Sequence, residues 1–478
     1  MNIIDHLKNN TEKNPSKIGF IVEEDELTFL EMYEHVSNFS SSKLLQNEKQ
    51  VVSLISDNSI SFIIAYLGLL KAGKIVHIVP PNISEINFKN QIKSSTPGAI
   101  ICSDKSWKNF LKSDNQRVPI YTIEEIISKN TIQKNASEYN KIAYLIYTSG
   151  TTGEPKGVPI THDMVEFTTN NIVRILGYLE NDVDLTLLPL YHSFGLGCLH
   201  TSIKTGSTFV LLKNSNDLEN VLNSLKKFNV TTLAVVPATL TKLLKFKEEF
   251  LKEKFSNIRL IITNSTAIPK NTVRDFKKIL QNGKLATYYG LTEASRSTFM
   301  IFNDDSKLDE SVGNPPEGVE VKIRKLNEDS EIGEIWIRGK NVIKNYWNNP
   351  IADKNLMDGW LQTGDIGYFD DEKNLFLKGR NDDIINIGGE KVIPNEIEEI
   401  IKQIPEVEDV VAFGIENEVF GNTVKLNVVK KRNSNLEKTH ILRHCLKNLE
   451  KFKIPSKIEF VDKIPKNEYG KVKRFMLK

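Results

Sequence analysis

Cysteine is scarce in this chain: there are three in 478 residues, widely separated at Cys102, Cys198 and Cys445. So few thiols, in an odd number, exclude a disulfide framework and favour a reducing compartment. The amino terminus, MNIIDHLKNN, also lacks the cationic stretch and the apolar stretch that together form a signal peptide. We therefore expect a cytoplasmic protein.

Long apolar runs are also missing. The segment 60–72, ISFIIAYLGLLKA, is too short to cross a bilayer and predicts a buried helix, so no integral membrane segment is expected. Neither charge sign is in excess, because 63 Lys and Arg face 61 Asp and Glu for a net charge of +2. This balance gives no overall bias toward nucleic acid.

The carboxyl-terminal end departs from that balance. Residues 425–478 contain 16 Lys and Arg against 5 Asp and Glu, which suits a phosphorylated partner. No RNA-binding motif accompanies them, so no nucleic-acid partner is expected. His440, His444 and Cys445 have a spacing that a metal site can use, although a surface helix is the interpretation we prefer.

Short β-branched runs alternate with amphipathic helical stretches through the first three quarters of the chain. Examples of such runs are 51–56, 208–212, 231–236 and 258–263. The alternation predicts an α/β fold with parallel βαβ layers. Around 333–339 the pattern changes to apolar strands with short turns, which predicts a β-rich subdomain.

The pattern changes again after Arg380. A proline-initiated acidic helix is predicted within 384–400, and a hairpin at 410–429. We therefore predict a large N-terminal domain, 1–380, followed by a small mobile α+β C-terminal domain, 381–478.

The most informative segment is YTSGTTGEPKG at 147–157, which follows an apolar strand. Its three glycines let the backbone curl so that successive N–H groups point at one anion. Its four Ser and Thr hydroxyls add donors, and Lys156 adds a positive charge. The segment lacks Gly-Lys-Ser/Thr, so it is not a Walker loop. Taken alone, it also fits a flexible turn rich in Thr and Gly.

Further motifs follow this loop in order: YYGLTEAS (288–295), GEIWIRG (333–339), TGD (363–365), GRNDDIINIGGEKVIPNEIEE (379–399) and PKNEYGKVKR (465–474). Together they resemble the superfamily of acyl- and aryl-CoA synthetases, peptide-synthetase adenylation domains and firefly luciferase, and the acyl-CoA synthetases most. The resemblance covers nearly the whole chain. It implies an enzyme that uses ATP and Mg²⁺ to convert a carboxylic acid into acyl-AMP and pyrophosphate. Coenzyme A then accepts the acyl group as a thioester.

The resemblance also implies roles for individual residues. Glu293 would be the Mg²⁺ ligand, since a carboxylate is a hard oxygen donor, and Thr292 would donate to the α-phosphate. A Thr-Glu pair is also typical of a helix N-terminus, which is the structural alternative. The other residues implied in ATP binding are Thr148, Ser149, Gly150, Thr151, Thr152, Lys156, Tyr289, Gly290, Asp365 and Arg380.

Lys471 would be the catalytic lysine, because it matches the lysine that follows glycine in the family's last motif. A positioned ammonium stabilises charge on the transferring phosphoryl group. Its neighbours Lys466, Lys473 and Arg474 are the alternative candidates for this role. Asp382 would be the hinge about which the C-terminal domain rotates between half-reactions. The loop with Gly388 and Gly389 would then approach the pantetheine arm of coenzyme A.

For the acid, the resemblance implies a pocket that includes His192, Asn264, Ser265, Tyr288 and Gly290. His192 stands where amino-acid-activating relatives carry an aspartate, so we expect an acid without an α-amino group; a packed core histidine is the alternative. Asn264 and Ser265 replace the usual small residues, so we expect a short or polar acid.

Two other functions stay open. The acyl group could pass to the phosphopantetheine of a carrier protein, with the basic end as the docking surface. A non-catalytic nucleotide-binding relative would require loss of Lys471 or Glu293, and both residues are present.

Overall fold

The architecture comes from a computed structural model of the chain. It describes residues 1–45, 49–103, 107, 118–128, 140–149, 155–213, 217–302, 305–326, 328, 330–387, 390–417, 421–432, 434–466, 472 and 474–477. Two compact units are present, one of residues 1–320 and 337–361 and the other of residues 321–336 and 362–478. The domain boundary and hinge expected after Arg380 stay predictions.

The described strands are β1 Ile18–Val22, β2 Asp25–Thr28, β3 Val51–Ile55, β4 Ile75–Val79, β5 Ala99–Cys102, β6 Ile120–Thr122, β7 Ile142–Ser149, β8 Pro155–Thr161, β9 Val183–Thr186, β10 Thr208–Leu211, β11 Thr232–Val235, β12 Leu260–Thr263, β13 Lys284–Leu291, β14 Ala294–Ile301, β15 Ser311–Gly313, β16 Val319–Lys325, β17 Gly333–Gly339, β18 Leu356–Met357, β19 Trp360–Phe369, β20 Leu375–Arg380, β21 Ile385–Ile387, β22 Glu390–Val392, β23 Val407–Asn417, β24 Gly421–Lys430 and β25 Lys457–Phe460. The described helices are α1 Ile3–Lys13, α2 Phe29–Ser40, α3 Ile60–Lys71, α4 Glu85–Ser95, α5 Ile123–Ser128, α6 His162–Leu176, α7 Ser193–Thr205, α8 Leu218–Lys227, α9 Pro237–Leu243, α10 Glu248–Lys254, α11 Lys270–Ile279, α12 Pro394–Ile401 and α13 Lys438–Asn448.

Two sheets dominate the first unit. The larger has the order β14-β13-β12-β11-β9-β10-β1-β2, with parallel pairing from β1 to β13 and antiparallel edge strands β2 and β14. The smaller has the order β6-β5-β3-β4-β7-β8 and is parallel except for β8, which pairs antiparallel with β7. The predicted parallel βαβ layers are confirmed.

Helices cover both faces of the larger sheet because successive side chains on a strand point to opposite faces. On β1, Phe20 and Val22 join a core that contains α1, α2, α3, α6 and α7 and reaches the smaller sheet. Ile21 between them joins a second core with α8 and α11. A strand buried on both sides reads as a continuous apolar run, as the sequence of β1 does.

Helix α3 is the apolar segment that the sequence predicts to be buried. Its first turn is capped by Ser59, whose hydroxyl accepts a hydrogen bond of 3.0 Å from the Phe62 amide. All residues from Phe62 to Leu70 are buried. A helix that is apolar on every side belongs in a core, so the buried-helix prediction is confirmed. No helix in the described ranges is long and apolar enough to span a membrane.

The second unit has a β-rich part and a small α/β part. Strands β20, β19, β17 and β16 are successive neighbours in one sheet, in which β19 and β20 pair antiparallel, so the β-rich region predicted around 333–339 is confirmed. Further along, β23 and β24 pair antiparallel, which confirms the predicted hairpin, and β25 joins β24 in parallel. Helices α12 and α13 pack on these strands around Ile397, Ile441 and Cys445.

The histidine and cysteine spacing near the carboxyl terminus lies on α13. Cys445 is fully buried in the core, whereas the Nε2 atom of His444 lies 3.1 Å from the carbonyl oxygen of Ile400. Cys445 therefore contributes to the core, and the His444 ring contacts the backbone of α12. In the part of the chain that the structure describes, no three His, Cys, Asp or Glu side chains are grouped as metal ligands.

Candidate active site

The two arms of the predicted phosphate loop are the paired strands β7 and β8. Thr148 lies opposite Lys156, and Tyr147 lies opposite Gly157. The Tyr147 hydroxyl donates to Ser94 Oγ at 2.9 Å, which fixes the first arm against α4. Gly150, Thr151 and Thr152, predicted in ATP binding, lie outside the described residues, as does the side chain of Ser149.

Thr292 and Glu293 form the turn between β13 and β14. Leu291 and Ala294 pair across it, so the Thr-Glu pair is the tip of a hairpin and does not begin a helix. Gly290 precedes this tip, and a Cβ there would lie 2.5 Å from the Arg296 amide nitrogen. Only glycine lets the two strands approach so closely.

The hairpin tip meets the phosphate loop at the Glu293 carboxylate. Its Oε1 atom accepts hydrogen bonds from the Thr148 hydroxyl at 3.4 Å and from the Tyr346 hydroxyl at 3.2 Å. The Glu293 carbonyl also accepts a bond of 3.0 Å from the Ile343 amide. The structure therefore brings three distant segments of the chain to one carboxylate.

Tyr346 links this carboxylate to the loop lysine. Burial and the neighbouring Glu293 carboxylate both raise the pKa of the Tyr346 hydroxyl well above its usual range, so that it remains a donor. The Lys156 ammonium lies 5.6 Å from the centre of the Tyr346 ring, within range of a cation–π interaction. Tyr346 therefore contacts the Glu293 carboxylate through its hydroxyl and the Lys156 ammonium through its ring.

A magnesium ion fits this arrangement. Mg²⁺ is usually held by one or two carboxylates, with phosphate oxygens and waters completing its shell. Glu293 supplies such a carboxylate beside the loop expected to bind phosphate. Among the described residues, no group of acidic side chains forms a separate all-protein cage.

In the second unit, Asp365 and Arg380 occupy opposed positions on β19 and β20. Arg380 Nη1 donates to Asp365 Oδ1 at 2.7 Å, and the Asp365 amide is fixed by a bond of 3.0 Å to the Thr363 hydroxyl. An ionised carboxylate accepts about four hydrogen bonds, so this ion pair is compatible with contacts to ribose hydroxyls.

Two of the residues that are alternatives to Lys471 form ion pairs inside the second unit. Lys466 Nζ lies 2.5 Å from Asp409 Oδ2. Arg474 contacts the carboxylates of Asp383 at 3.1 Å and Glu398 at 2.8 Å. Their charges therefore stabilise the C-terminal fold. Lys471, Lys473, Gly388 and Gly389 lie outside the described residues, while Asp382 is exposed in a short 3₁₀ helix, Asn381–Asp383.

Comparison with known proteins identifies the family of the chain. A family model described as "AMP-binding enzyme" matches residues 7–347, and one described as "AMP-binding enzyme C-terminal domain" matches residues 396–471. The chain belongs to the AMP-binding enzyme family.

Named relatives of this AMP-binding enzyme activate different acids. It is 28% identical to the long-chain-fatty-acid–CoA ligase of Haemophilus influenzae, with 100% of this chain and 94% of the relative covered. It is also 28% identical to the 2-succinylbenzoate–CoA ligase of Bacillus licheniformis, with 99% and 100% covered. The solved o-succinylbenzoate CoA synthetase of Bacillus subtilis, bound to its acyl-adenylate, matches with a TM-score of 0.88 at 26% identity over 99% of this chain and 97% of that chain. The predicted superfamily and fold class are confirmed.

The residues expected in the acyl pocket of this AMP-binding enzyme lie in different local environments. The Asn264 side-chain amide donates to the Tyr288 carbonyl, which ties the end of β12 to β13. Ser265 is exposed, with φ of 90°, in the region that glycine adopts most easily. The His192 ring is half-buried at the start of α7, 4.8 Å from the Tyr191 ring. Tyr289 is buried.

A small cavity beside the hairpin contains residues that the sequence reasoning missed. Its volume is about 20 Å³. Its lining residues are Tyr144, Ile160, Met164, Val165, Thr168, Thr169, Ile172, Ser193, Gly197, His200, Thr292, Ser295, Arg296 and Asn341. Of the predicted site residues, Thr292 lines this cavity, whereas His192, Asn264 and Ser265 do not. The signal for Arg296 is visible in the sequence, because it is the charged residue of ASRSTFMI, an otherwise uncharged strand next to the Thr-Glu motif.

Proposed function

We propose that this chain is a carboxylate–CoA ligase that forms an acyl-AMP intermediate. The observation that carries the proposal is that Thr148 and Tyr346 both contact the Glu293 carboxylate, while the Tyr346 ring also faces the Lys156 ammonium. A solved relative, the o-succinylbenzoate CoA synthetase of Bacillus subtilis at 26% identity, is known in complex with ATP and a magnesium ion. The same ligands suit the groups that this chain brings together.

In the first half-reaction, a carboxylate oxygen of the acid attacks the α-phosphorus of ATP, and the bond to the β-phosphate bridging oxygen breaks to release pyrophosphate. The loop hydroxyls and Lys156 would hold the β- and γ-phosphates, while Thr292 would donate to the α-phosphate. Glu293 would hold Mg²⁺, which when bound neutralises charge on the phosphates. Lys471 would stabilise the charge that develops on the transferring group.

Asp365 and Arg380 would hold the ribose of the nucleotide. Their ion pair restricts the carboxylate to one orientation, which favours a defined pair of hydrogen bonds to the two ribose hydroxyls. A preoriented acceptor loses less entropy on binding than a mobile one does.

In the second half-reaction, the coenzyme A thiol loses its proton, attacks the acyl carbon and releases AMP. The C-terminal domain would rotate about Asp382 to exchange the Lys471 segment for the loop with Gly388 and Gly389. Glycines there would leave room for the pantetheine arm.

The acid would be short or polar. This part of the proposal is supported by the resemblance to the acyl-CoA synthetases, in which Asn264 and Ser265 stand at positions that smaller residues usually occupy. A long alkyl chain would need this region to open, and it would leave polar groups unpaired at about 1–3 kcal/mol each.

The test is carboxylate-dependent exchange of pyrophosphate into ATP across acetate to octanoate, hydroxy-acids and aryl-acids. Activity is then remeasured with coenzyme A and with phosphopantetheinylated carrier proteins. Exchange with a short or polar acid and AMP release that requires coenzyme A support the proposal. Release that requires a carrier protein supports the alternative acceptor. Absence of exchange with every acid contradicts the proposed activity, and a preference for acids of twelve carbons or more contradicts the proposed size.

A further inference from the structure

Arg296 is a buried cation without an acidic partner among the described residues. Its side chain is only 5% exposed. Nη1 donates to the Ser295 hydroxyl at 2.5 Å, and Nη2 donates to the Ser193 carbonyl at 3.1 Å. The buried Nε has no hydrogen-bond partner. A buried charge costs free energy unless a counter-charge and hydrogen bonds compensate it, so this guanidinium needs an explanation.

The surrounding chain keeps space for this side chain. A Cβ at Gly197 would lie 1.7 Å from Arg296 Nη2, so any larger residue in this turn of α7 would displace the guanidinium. Arg296 itself has φ of 56°, a left-handed conformation that is unfavourable for an arginine. Unfavourable backbone conformations of this kind concentrate at functional sites.

The remaining cavity wall supplies no compensating charge. No Asp or Glu is among its lining residues. Burial, and secondarily Arg296, lowers the pKa of His200 to about 3, so this histidine is neutral at physiological pH. Burial raises the pKa of Tyr144 to about 12, so its hydroxyl stays protonated. Much of the rest is apolar, including Ile160 and Ile172.

We propose that Arg296 binds a second carboxylate of the acid substrate, so that this ligase acts on a compact dicarboxylic acid. The inference rests on the proposed function, because it uses the cavity beside Thr292 as the acyl pocket. A planar guanidinium binds a carboxylate through two parallel hydrogen bonds, and the unpaired Nε can contribute one of them.

The position of Arg296 favours the distal carboxylate over the reacting one. Glu293 lies at the hairpin tip, and Arg296 follows it on β14, in the segment where the pairing with β13 shifts register. The Arg296 side chain then extends to α7 and stacks over the Tyr288 ring, 5.0 Å from its centre. The cavity of about 20 Å³ holds roughly one water, so a compact diacid that reaches from the Thr292 side to the guanidinium displaces lining side chains as it binds.

The experiment compares acids that differ in charge at one end only. Pyrophosphate exchange is measured with butanedioate, pentanedioate and hexanedioate, with the monomethyl ester of each, and with the unbranched monocarboxylate of equal carbon number. The readout is the ratio of kcat/KM for each diacid to that for its monoester. The parent protein should favour the diacid at least tenfold, and Arg296→Gln should reduce the ratio roughly tenfold to hundredfold.

Three further variants separate binding from folding. Arg296→Lys keeps the charge and should retain part of the preference. Gly197→Ala keeps Arg296 but displaces its guanidinium, so it should lower the same ratio. Arg174→Gln changes an exposed arginine that is paired with Glu317, and its ratio should equal that of the parent protein. Melting temperatures with and without 10 mM diacid give a second readout, in which the diacid should stabilise the parent protein more than it stabilises Arg296→Gln.

The outcomes are distinct. Exchange in the parent protein without preference for diacids, or a ratio that Arg296→Gln leaves unchanged, overturns the inference and leaves the proposed activity intact. Equal losses for diacid and monoester also overturn it, because they place Arg296 at the reacting carboxylate or in a purely structural role. Absence of exchange with every acid contradicts the proposed function, and this inference with it.

Discussion

The Tyr346 hydroxyl donates a hydrogen bond of 3.2 Å to the Oε1 atom of Glu293, across 53 residues of chain. Tyr346 is itself 4% exposed, and its amide donates to Asp353 Oδ1 at 2.7 Å. Hydrogen bonds therefore fix both the backbone amide and the side-chain hydroxyl of Tyr346. It restricts the carboxylate that we expect to hold Mg²⁺, and supporting groups of this kind tune metal ligands in other proteins.

Tyr346→Phe should weaken the use of Mg²⁺ without abolishing the reaction. Loss of one hydrogen bond of about 1 kcal/mol should raise the Mg²⁺ concentration for half-maximal pyrophosphate exchange about three- to tenfold. Glu293→Gln removes the charge itself and should have a larger effect. Exchange rates are measured against free Mg²⁺ at saturating ATP.

Tyr33→Phe is the matched control, since Tyr33 accepts a hydrogen bond from Lys71 on α3, outside the site described above. Its Mg²⁺ dependence should equal that of the parent protein. Identical Mg²⁺ curves for Tyr346→Phe and the parent protein would show that the tyrosine does not position the ligand.

Lys471→Ala should slow adenylation about 10²–10³-fold and leave thioester formation from pre-made acyl-AMP nearly unchanged. The reason is that an ammonium at this position would act only on the phosphoryl step. Pyrophosphate exchange measures the first half-reaction, and release of AMP from supplied acyl-AMP with coenzyme A measures the second. Lys466→Ala, which breaks the ion pair with Asp409, is the control and should retain exchange within about twofold. Equal losses in both half-reactions would contradict the division of roles.

Asp382→Pro should show the reverse profile. Proline fixes φ near −65°, so a hinge at this position could not rotate, whereas the arrangement for adenylation could persist. Exchange should survive while thioester formation falls by about tenfold or more. Asp382→Ala removes the same carboxylate but leaves φ free, so it should retain more thioester formation than the proline variant. Normal thioester synthesis by Asp382→Pro would exclude rotation about this residue.

Asp184→Asn should change the pH dependence of stability. Asp184 is fully buried on β9, where its carboxyl accepts hydrogen bonds from the hydroxyls of Thr232 at 2.7 Å and Ser202 at 3.4 Å. Burial, with a smaller contribution from Asp182, raises its pKa to about 7. Between about pH 4 and pH 7 the folded protein therefore keeps a proton that the unfolded chain has lost, and stability falls as the pH rises.

The variant lacks this titration, so its stability relative to the parent protein should increase from pH 4 to pH 8. The change should be at most about 4 kcal/mol, the equivalent of three pKa units. Urea midpoints at pH 4, 5, 6, 7 and 8 provide the measurement, and Asp371→Asn on an exposed turn is the control. Parallel pH profiles for Asp184→Asn and the parent protein would mean that Asp184 is ionised in the fold.

Local patterns were enough to predict the elements and the fold class. The apolar runs at β3, β10, β11 and β12 and the buried helix α3 are formed by neighbouring residues, and burial on both faces leaves a continuous apolar pattern in the sequence. The motif order was enough to identify the family, because each motif is a short segment whose residues act together.

The sequence by itself thus determined the fold class, the family and the candidate residues on the phosphate loop and the hairpin tip. Only the tertiary structure decided that Tyr346 reaches Glu293 and that the Arg296 guanidinium occupies the space left by Gly197. These pairs are 53 and 99 positions apart along the chain. The physical reason is that the partner of a buried polar group is set by how sheets and helices pack, and this packing brings together residues that no local pattern connects.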